Sequence, residues 1–185
     1  MIALRPLREE DIANLPTIRP NYRSESVLAV QRLGEMDGWH LIEQRLPVPF
    51  DNESGYDFDE QAQAEIRARL ANSDLTYQQI AEDEGRLVAL LDIGLQNWND
   101  TVFVWNLMID KDYRRRGLGR RLWHRALEYA RDMDVRAIMV ETQNTNVAAC
   151  KFYASMGCRL VGLNEAYYAN SSDEEVALFW AYFLR

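Results

Sequence analysis

The stretch Thr101-Val102-Phe103-Val104-Trp105-Asn106-Leu107-Met108-Ile109, then Asp110-Lys111-Asp112-Tyr113, then Arg114-Arg115-Arg116-Gly117-Leu118-Gly119-Arg120, decides the fold. Its first part is rich in β-branched and aromatic residues and reads as a strand. Beyond the loop, Leu118, Leu122, Ala126 and Ala130 recur every four residues, which is one face of a helix. The first turn of a helix leaves backbone N–H groups without intrahelical partners and carries a positive dipole end. Glycines let an anion approach that backbone, and arginines add charge-assisted hydrogen bonds. The spacing R-x-x-G-x-G is neither a Walker loop, which ends Gly-Lys-Ser/Thr, nor the dinucleotide pattern G-x-G-x-x-G. On its own it reads either as a phosphate cradle or as the basic start of a surface helix.

Working outward, Ile2 to Leu7 reads as a short strand and Glu9 to Ile18 as a helix ended by Pro16 or Pro20. Ser26 to Leu33 and Trp39 to Leu46 are β-rich runs joined around Asp37-Gly38, a strong hairpin signal. Pro47 and Pro49 are expected to stop the second strand, with a loop over 50–59. Ala62, Ile66 and Leu70 set a helix over Glu60 to Leu70. Leu75 to Ala81 and Leu87 to Leu95 are strands around a Glu84-Gly85 turn, and Trp98-Asn99-Asp100 turns into the strand Thr101 to Ile109. After the helix come a buried strand, Ala137 to Val140, and a helix, Val147 to Met156, closed by Gly157. Cys158 to Leu163 and Glu175 to Leu184 complete the strands. The pattern predicts one α/β (α+β) domain over 1–185. It has a mixed, mostly antiparallel twisted sheet flanked by helices, one parallel crossover and an extra N-terminal hairpin.

The chain has 185 residues, 48% of them hydrophobic, enough for one core. No apolar run approaches the roughly 20 residues that span a bilayer, and no signal peptide is legible, so the expectation is a cytoplasmic protein without a membrane partner. The two cysteines, Cys150 and Cys158, suit a reducing compartment. His40 and His124 lie far apart, so no metal site is expected. Cys150 as a nucleophile has no histidine near it in sequence. The net charge is −8, which argues against nucleic acid. Charge is unevenly spread, however. Residues 46–66 carry six carboxylates (Asp51, Glu53, Asp57, Asp59, Glu60, Glu65) and no Lys or Arg, while residues 111–136 hold nine of the 21 basic residues. Two ligands of opposite charge are one reading, and solvated loops and helix faces are the other.

Arg114-x-x-Gly117-x-Gly119, between a strand and an amphipathic helix, resembles the acetyl-CoA motif of the GNAT N-acetyltransferase superfamily. Glu141-Thr142-Gln143-Asn144-Thr145-Asn146-Val147-Ala148-Ala149-Cys150-Lys151-Phe152-Tyr153-Ala154-Ser155-Met156-Gly157 resembles the family's second element, Glu…Asn-x-x-Ala…Tyr-x-x-x-Gly-Phe, with Cys158 in place of the Phe. The resemblance implies acetyl-CoA as co-substrate and direct acetyl transfer to an amine. It implies that Met108 and Ile109 pair with the pantetheine arm. Arg114, Arg115, Arg116, Gly117, Leu118, Gly119 and Arg120 would hold the pyrophosphate, and Asn146 would touch the cofactor arm. Glu141 would be a base for the amine and Tyr153 the acid that protonates the departing thiolate.

The hairpin Ser26 to Leu46, the Trp98-Asn99 turn and the tail from Ala166-Tyr167-Tyr168 to Phe179 are similar to streptothricin acetyltransferases. This implies a small cationic amine as substrate, acetylated on a β-lysine amine, and a role in antibiotic resistance. Asp92, with Asp51, Asp57 and Asp59 as further carboxylates, would meet the cation, and Trp98 and Tyr168 would wall it by cation–π contact. The alternative is another amine: a polyamine, a peptide N-terminus or a protein lysine. A binding module without catalysis would have lost the phosphate loop or the tyrosine, and both are present. A homodimer is compatible with the sequence.

Overall fold

The computed structural model describes residues 2–34, 38–52, 58–168 and 175–185. In chain order its elements are β1 (Ala3–Pro6), α1 (Glu9–Ile12), a 3-10 turn (Leu15–Thr17), β2 (Tyr22–Arg32), β3 (Trp39–Asn52), α2 (Glu60–Leu70) and β4 (Thr76–Asp83). Then follow β5 (Arg86–Gln96), β6 (Thr101–Ile109), a second 3-10 turn (Lys111–Tyr113), α3 (Leu118–Asp132), β7 (Ala137–Gln143), α4 (Val147–Ser155), β8 (Arg159–Asn164) and β9 (Ala177–Phe183). They group into two compact units. One holds Met1–Asn21, Ser54–Met139 and Phe183–Arg185, and the other Tyr22–Glu53 and Val140–Tyr182.

In the first unit β1, β4, β5 and β6 lie side by side, each antiparallel to the next. β5 carries the continuous apolar run Leu87-Val88-Ala89-Leu90-Leu91 and is buried along most of its length. A strand with no polar face has to lie between neighbours and under helices. The β4–β5 turn is made by Glu84 at φ 51° and Gly85 at φ 82°, the left-handed pair a tight hairpin needs. Leu7, Ile12, Leu15, Ile18, Phe58, Ile66, Ile80, Leu87 and Leu90 form the core beneath. α3 turns Leu118, Leu122, Trp123, Ala126, Leu127 and Ala130 inward, each large side chain contributing about 1.5–3 kcal/mol. The helix expected over Glu9 to Ile18 is interrupted. Pro16 has no N–H to continue the ladder, so α1 stops at Ile12 and the chain tightens into a 3-10 turn.

In the second unit β2 and β3 form a long antiparallel hairpin. Its Asp37 lies outside the described residues, and Gly38 takes φ 99°. The expected stop at Pro47 and Pro49 does not occur, and β3 runs on to Asn52. The pairing explains this. Ser26 faces Arg45 and Ser24 faces Phe50, so residues 46–49 sit in an irregularity where no ladder hydrogen bond is asked of a proline. β9 lies between the end of β7 and β8, antiparallel to β8. α4 presents Val147, Cys150 and Tyr153 inward at spacings of three.

Candidate functional site

The first unit carries the basic loop. β6 pairs with β5 up to its last residues, Met108 opposite Leu90 and Ile109 opposite Ala89. The Met108 side chain packs against the core, which leaves its backbone as the part available to a ligand. Directly after Ile109 comes Asp110, a fully buried carboxylate that the sequence reading passed over. It accepts from Arg19 (backbone N and Nε at 3.2 Å, Nη2 at 3.3 Å), Arg86 (Nη2, 2.6 Å) and the Asp112 N–H (3.0 Å). Burial pushes its pKa up, but the Arg19 bonds and the two backbone N–H groups outweigh that and hold it below the usual carboxylate range. Arg114 does not face a ligand with its charge. Its Nε donates to Ile109 O at 3.2 Å and its Nη2 to Pro20 O. Asp110 and Arg114 therefore brace the loop from within.

Beyond this brace the chain turns sharply. Arg115 adopts φ 63° and Gly117 φ 79°. Left-handed backbone costs a non-glycine residue about 1–2 kcal/mol, so the Arg115 conformation is held against a penalty. Gly117 is the N-cap of α3 and provides no side-chain cap. The first helical bond is Arg121 N–H to Gly117 O at 3.1 Å, which leaves the N–H groups of Leu118, Gly119 and Arg120 without helical partners. A Cβ on Gly117 would meet nothing within 4 Å, so the start of α3 is open at Gly117. Arg115, Arg116 and Arg120 are exposed, and the Arg116 guanidinium lies 5.1 Å from the Tyr113 ring centroid. Open space, unspent N–H donors and three exposed cations fit a pyrophosphate.

Asp92 and Trp98 also lie in this unit. The Asp92 carboxylate is fully buried and taken up by Arg69 (Nη2, 2.8 Å), Gln78 (3.1 Å) and Asn106 (3.0 Å). It was expected at the substrate, but it has no face left for an amine. Trp98 is exposed on the β5–β6 turn. Asp59 spends its side chain as the α2 N-cap, accepting from Ala62 N at 2.8 Å. Asp51 is exposed on β3, in the second unit, and Asp57 lies outside the described residues.

The second unit carries the remaining candidates. Glu141 accepts from the Tyr168 hydroxyl. Burial raises its pKa, the Tyr168 bond pulls it back, and the charge of Glu175 raises it further. Asn146 is the N-cap of α4, its Oδ1 accepting from Ala149 N at 3.1 Å. Tyr153 is buried on the inner face of α4, with Phe152 edge-on at 5.1 Å between centroids. Cys150 is buried beside the Thr142 hydroxyl at 3.3 Å, and burial pushes its thiol up to about 11. A thiol that stays protonated at neutral pH is a poor nucleophile, which disposes of that reading. Among the described residues no group of His, Cys, Asp and Glu is arranged to hold a metal ion.

A mixed α/β fold with a mostly antiparallel sheet flanked by helices, and an open helix start behind an Arg–Gly loop, defines a class of acyl-CoA-using transferases. Residues 38–158 match the model of the acetyltransferase (GNAT) family, and the chain belongs to that family. It is 36% identical over 87 residues to streptothricin acetyltransferase A of Bacillus subtilis (strain 168), a match over 46% of this chain and 50% of that protein. The chain thus spans about half the length of that relative. It is 26% identical over 180 residues to the streptothricin acetyltransferase of Streptomyces lavendulae, over 95% of this chain and 91% of that one. Among solved structures, one described as a streptothricin acetyltransferase from Bacillus anthracis str. Ames in complex with acetyl coenzyme A superposes with TM-score 0.80 at 25% identity. That likeness covers 100% of this chain and 98% of that one.

Proposed function

We propose that this protein transfers an acetyl group from acetyl-CoA to a primary amine of a small cationic substrate, a streptothricin-type antibiotic with a β-lysine arm. The observation that carries the donor half is the loop from Arg114 to Arg120, whose unspent N–H groups and exposed guanidiniums suit a pyrophosphate. Likeness to the Streptomyces lavendulae protein along 95% of the chain supports the acceptor.

The chemistry asks for three proton movements: one off the amine before attack, one onto the sulfur and one off the new amide nitrogen. An alkylamine has an unperturbed pKa near 10.4, so only about one molecule in 2,500 is neutral at pH 7. Glu141, directly or through water, takes the proton that frees the lone pair. Burial, which raises its pKa, makes it a stronger base than an ordinary carboxylate. The neutral amine attacks the thioester carbonyl, the C–S bond breaks, Tyr153 gives a proton to the sulfur that leaves, and the new amide nitrogen sheds its extra proton, which restores the tyrosine hydroxyl directly or through water. In the first unit the backbone of Met108 and Ile109 aligns the pantetheine arm. In the second, Asn146 is the residue for the cofactor arm and Tyr168 the aromatic wall for the cation. Asp92, sealed by Arg69 and Gln78, serves from beneath by fixing Asn106 and does not meet the amine.

The test is coenzyme A release with acetyl-CoA and a panel of amines: streptothricin, a polyamine, an N-terminal alanine peptide and a lysine peptide. A kcat/KM for streptothricin at least tenfold above the others is the expected result. Preference for a polyamine or a peptide overturns the antibiotic assignment.

A further inference from the structure

Asn106 stands on β6 two residues before Met108, and the orientation of its amide is fixed from within the first unit. Beneath it lies the fully buried Asp92. Arg69 reaches Asp92 Oδ2 with Nε at 2.9 Å and Nη2 at 2.8 Å, Gln78 Nε2 donates to Oδ1 at 3.1 Å, and Asn106 Nδ2 donates to Oδ2 at 3.0 Å. A carboxylate paired with a guanidinium only accepts. The Asn106 amide therefore cannot turn over. Its NH2 faces Asp92 and its carbonyl oxygen faces away. Among the described residues nothing donates to that oxygen. The buried side-chain atoms without partners are elsewhere, on Asn21, Asn52, Gln79, Trp123 and Tyr129. Asn106 is half-buried, so its Oδ1 is an oriented acceptor that stays open.

The strand around it is irregular at this point. Asp92 pairs with Asn106 and Ile93 with Val104, so Trp105 is an extra residue on β6. A bulge of this kind re-aims side chains. Neighbours on a regular strand point to opposite faces, yet Trp105 and Asn106 both reach the Arg69–Asp92 pair. The Arg69 guanidinium lies 5.3 Å from the Trp105 ring centroid. Gly94 makes room for the indole, since a Cβ there would stand 3.3 Å from Trp105 Nε1. Position adds the chemical meaning. An arm that starts at the Gly117 loop and lies along Ile109 and then Met108 has Leu107 and Asn106 ahead of it on β6. Asn106 is about 7 Å beyond Met108 along the strand, on the side where the acyl end arrives.

We infer that Asn106 Oδ1 accepts an N–H of the attacking amine. That nitrogen gains positive charge as it bonds to the acetyl carbon, so the hydrogen bond is stronger in the transition state than in the ground state. The contact is with the reacting nitrogen and holds for a primary amine of any size. The inference rests on the amine-acetyltransferase reading and goes beyond it by naming the atom that meets the amine.

The test is Asn106→Leu, which keeps most of the side-chain volume and removes the acceptor. With n-hexylamine and with streptothricin, kcat on the alkaline plateau, where the bound amine is already neutral, falls about tenfold or more, and KM for acetyl-CoA stays within about twofold. A carbonyl holds an ammonium more tightly than a neutral amine, so its loss lowers the pKa of the bound amine. The rising limb of kcat then moves to lower pH by about half a unit or more. A merely structural role leaves the limb in place. Asn106→Ala removes the same atom without adding bulk and shows the same shift should the leucine variant not fold. Equilibrium dialysis of n-hexylamine against enzyme saturated with coenzyme A reads the contact without turnover, and the dissociation constant rises about fivefold or more in the variants. A limb that does not move, or binding equal to wild type, overturns the inference. Wild type that releases coenzyme A with no amine refutes the proposed activity instead. Dialysis then decides the contact alone: weaker binding in the variants sustains it, and equal or undetectable binding overturns it.

Discussion

Asp110→Ala removes the pin between β6 and the phosphate loop, and its cost can be worked from the contacts. Five hydrogen bonds land on the carboxylate: three from Arg19, one from Arg86 and one from the Asp112 N–H. The two guanidiniums are about 40% exposed and can rehydrate, so each loses only about 1 kcal/mol or less. The Arg19 and Asp112 backbone N–H groups were satisfied by a fully buried oxygen, and each costs about 1–3 kcal/mol if left unmade. The sum is roughly 2–8 kcal/mol, a span that contains the 3–5 kcal/mol typical of breaking a buried ion pair. Urea unfolding at pH 7 should show that loss with an unchanged m-value. KM for acetyl-CoA should also rise, because Lys111 and Arg114 no longer start from a fixed point. Asp110→Asn keeps the shape without the charge and should lose about 1.5–3 kcal/mol. Its pH dependence gives a second check. The native pKa of Asp110 is depressed, so its contribution is present above the unfolded value, near 3.9, and fades as pH falls through the lower native pKa. The gap between wild type and Asp110→Asn should therefore begin to narrow below about pH 4. A loss under 1 kcal/mol for Asp110→Ala, or a gap that stays constant as pH falls below about 4, would refute the reasoning.

The remaining predictions concern the chemistry. Tyr153→Phe should lower kcat at least tenfold with acetyl-CoA affinity near wild type by fluorescence titration, and unchanged turnover removes the acid role. Glu141→Gln should lose activity near neutral pH by an amount that shrinks as pH rises and free amine accumulates, whereas a pH-independent loss in the rate profile points to positioning only. Gly117→Val places a β-branched side chain at φ 79°, which costs about 1–2 kcal/mol by thermal unfolding, and it should raise KM for acetyl-CoA more than it changes kcat. If KM stays constant, the pyrophosphate is not held at the start of α3.

Much of the donor half was legible in the sequence because local rules govern it. A strand that runs into Arg-x-x-Gly-x-Gly and then a spaced apolar helix needs no knowledge of distant residues. The Glu84-Gly85 turn and the Gly117 helix start follow from backbone sterics alone. Errors arose where a local signal met a tertiary exception. Pro47 and Pro49 are strand breakers in general, yet β3 passes through them because the pairing with β2 skips 46–49. Asp92 looked like a substrate carboxylate, since no sequence pattern tells that Arg69, 23 residues upstream, closes over it.

The acceptor half shows the same limit from the other side. Density of charge along the chain drew attention to residues 46–66, where six carboxylates stand close together. Charge in sequence is a poor guide to charge at a site, because an exposed carboxylate is hydrated and holds a cation weakly. Asn106 carries no charge, and nothing in the local sequence marks it. What distinguishes it is Asp92, which Arg69, Gln78 and Asn106 itself surround with donors, so that the Asn106 oxygen is turned outward. Arg69 stands 23 residues from Asp92 in sequence and the other two 14. A motif is read along the chain, whereas a contact such as Leu28 with Asn144 becomes visible only in the fold.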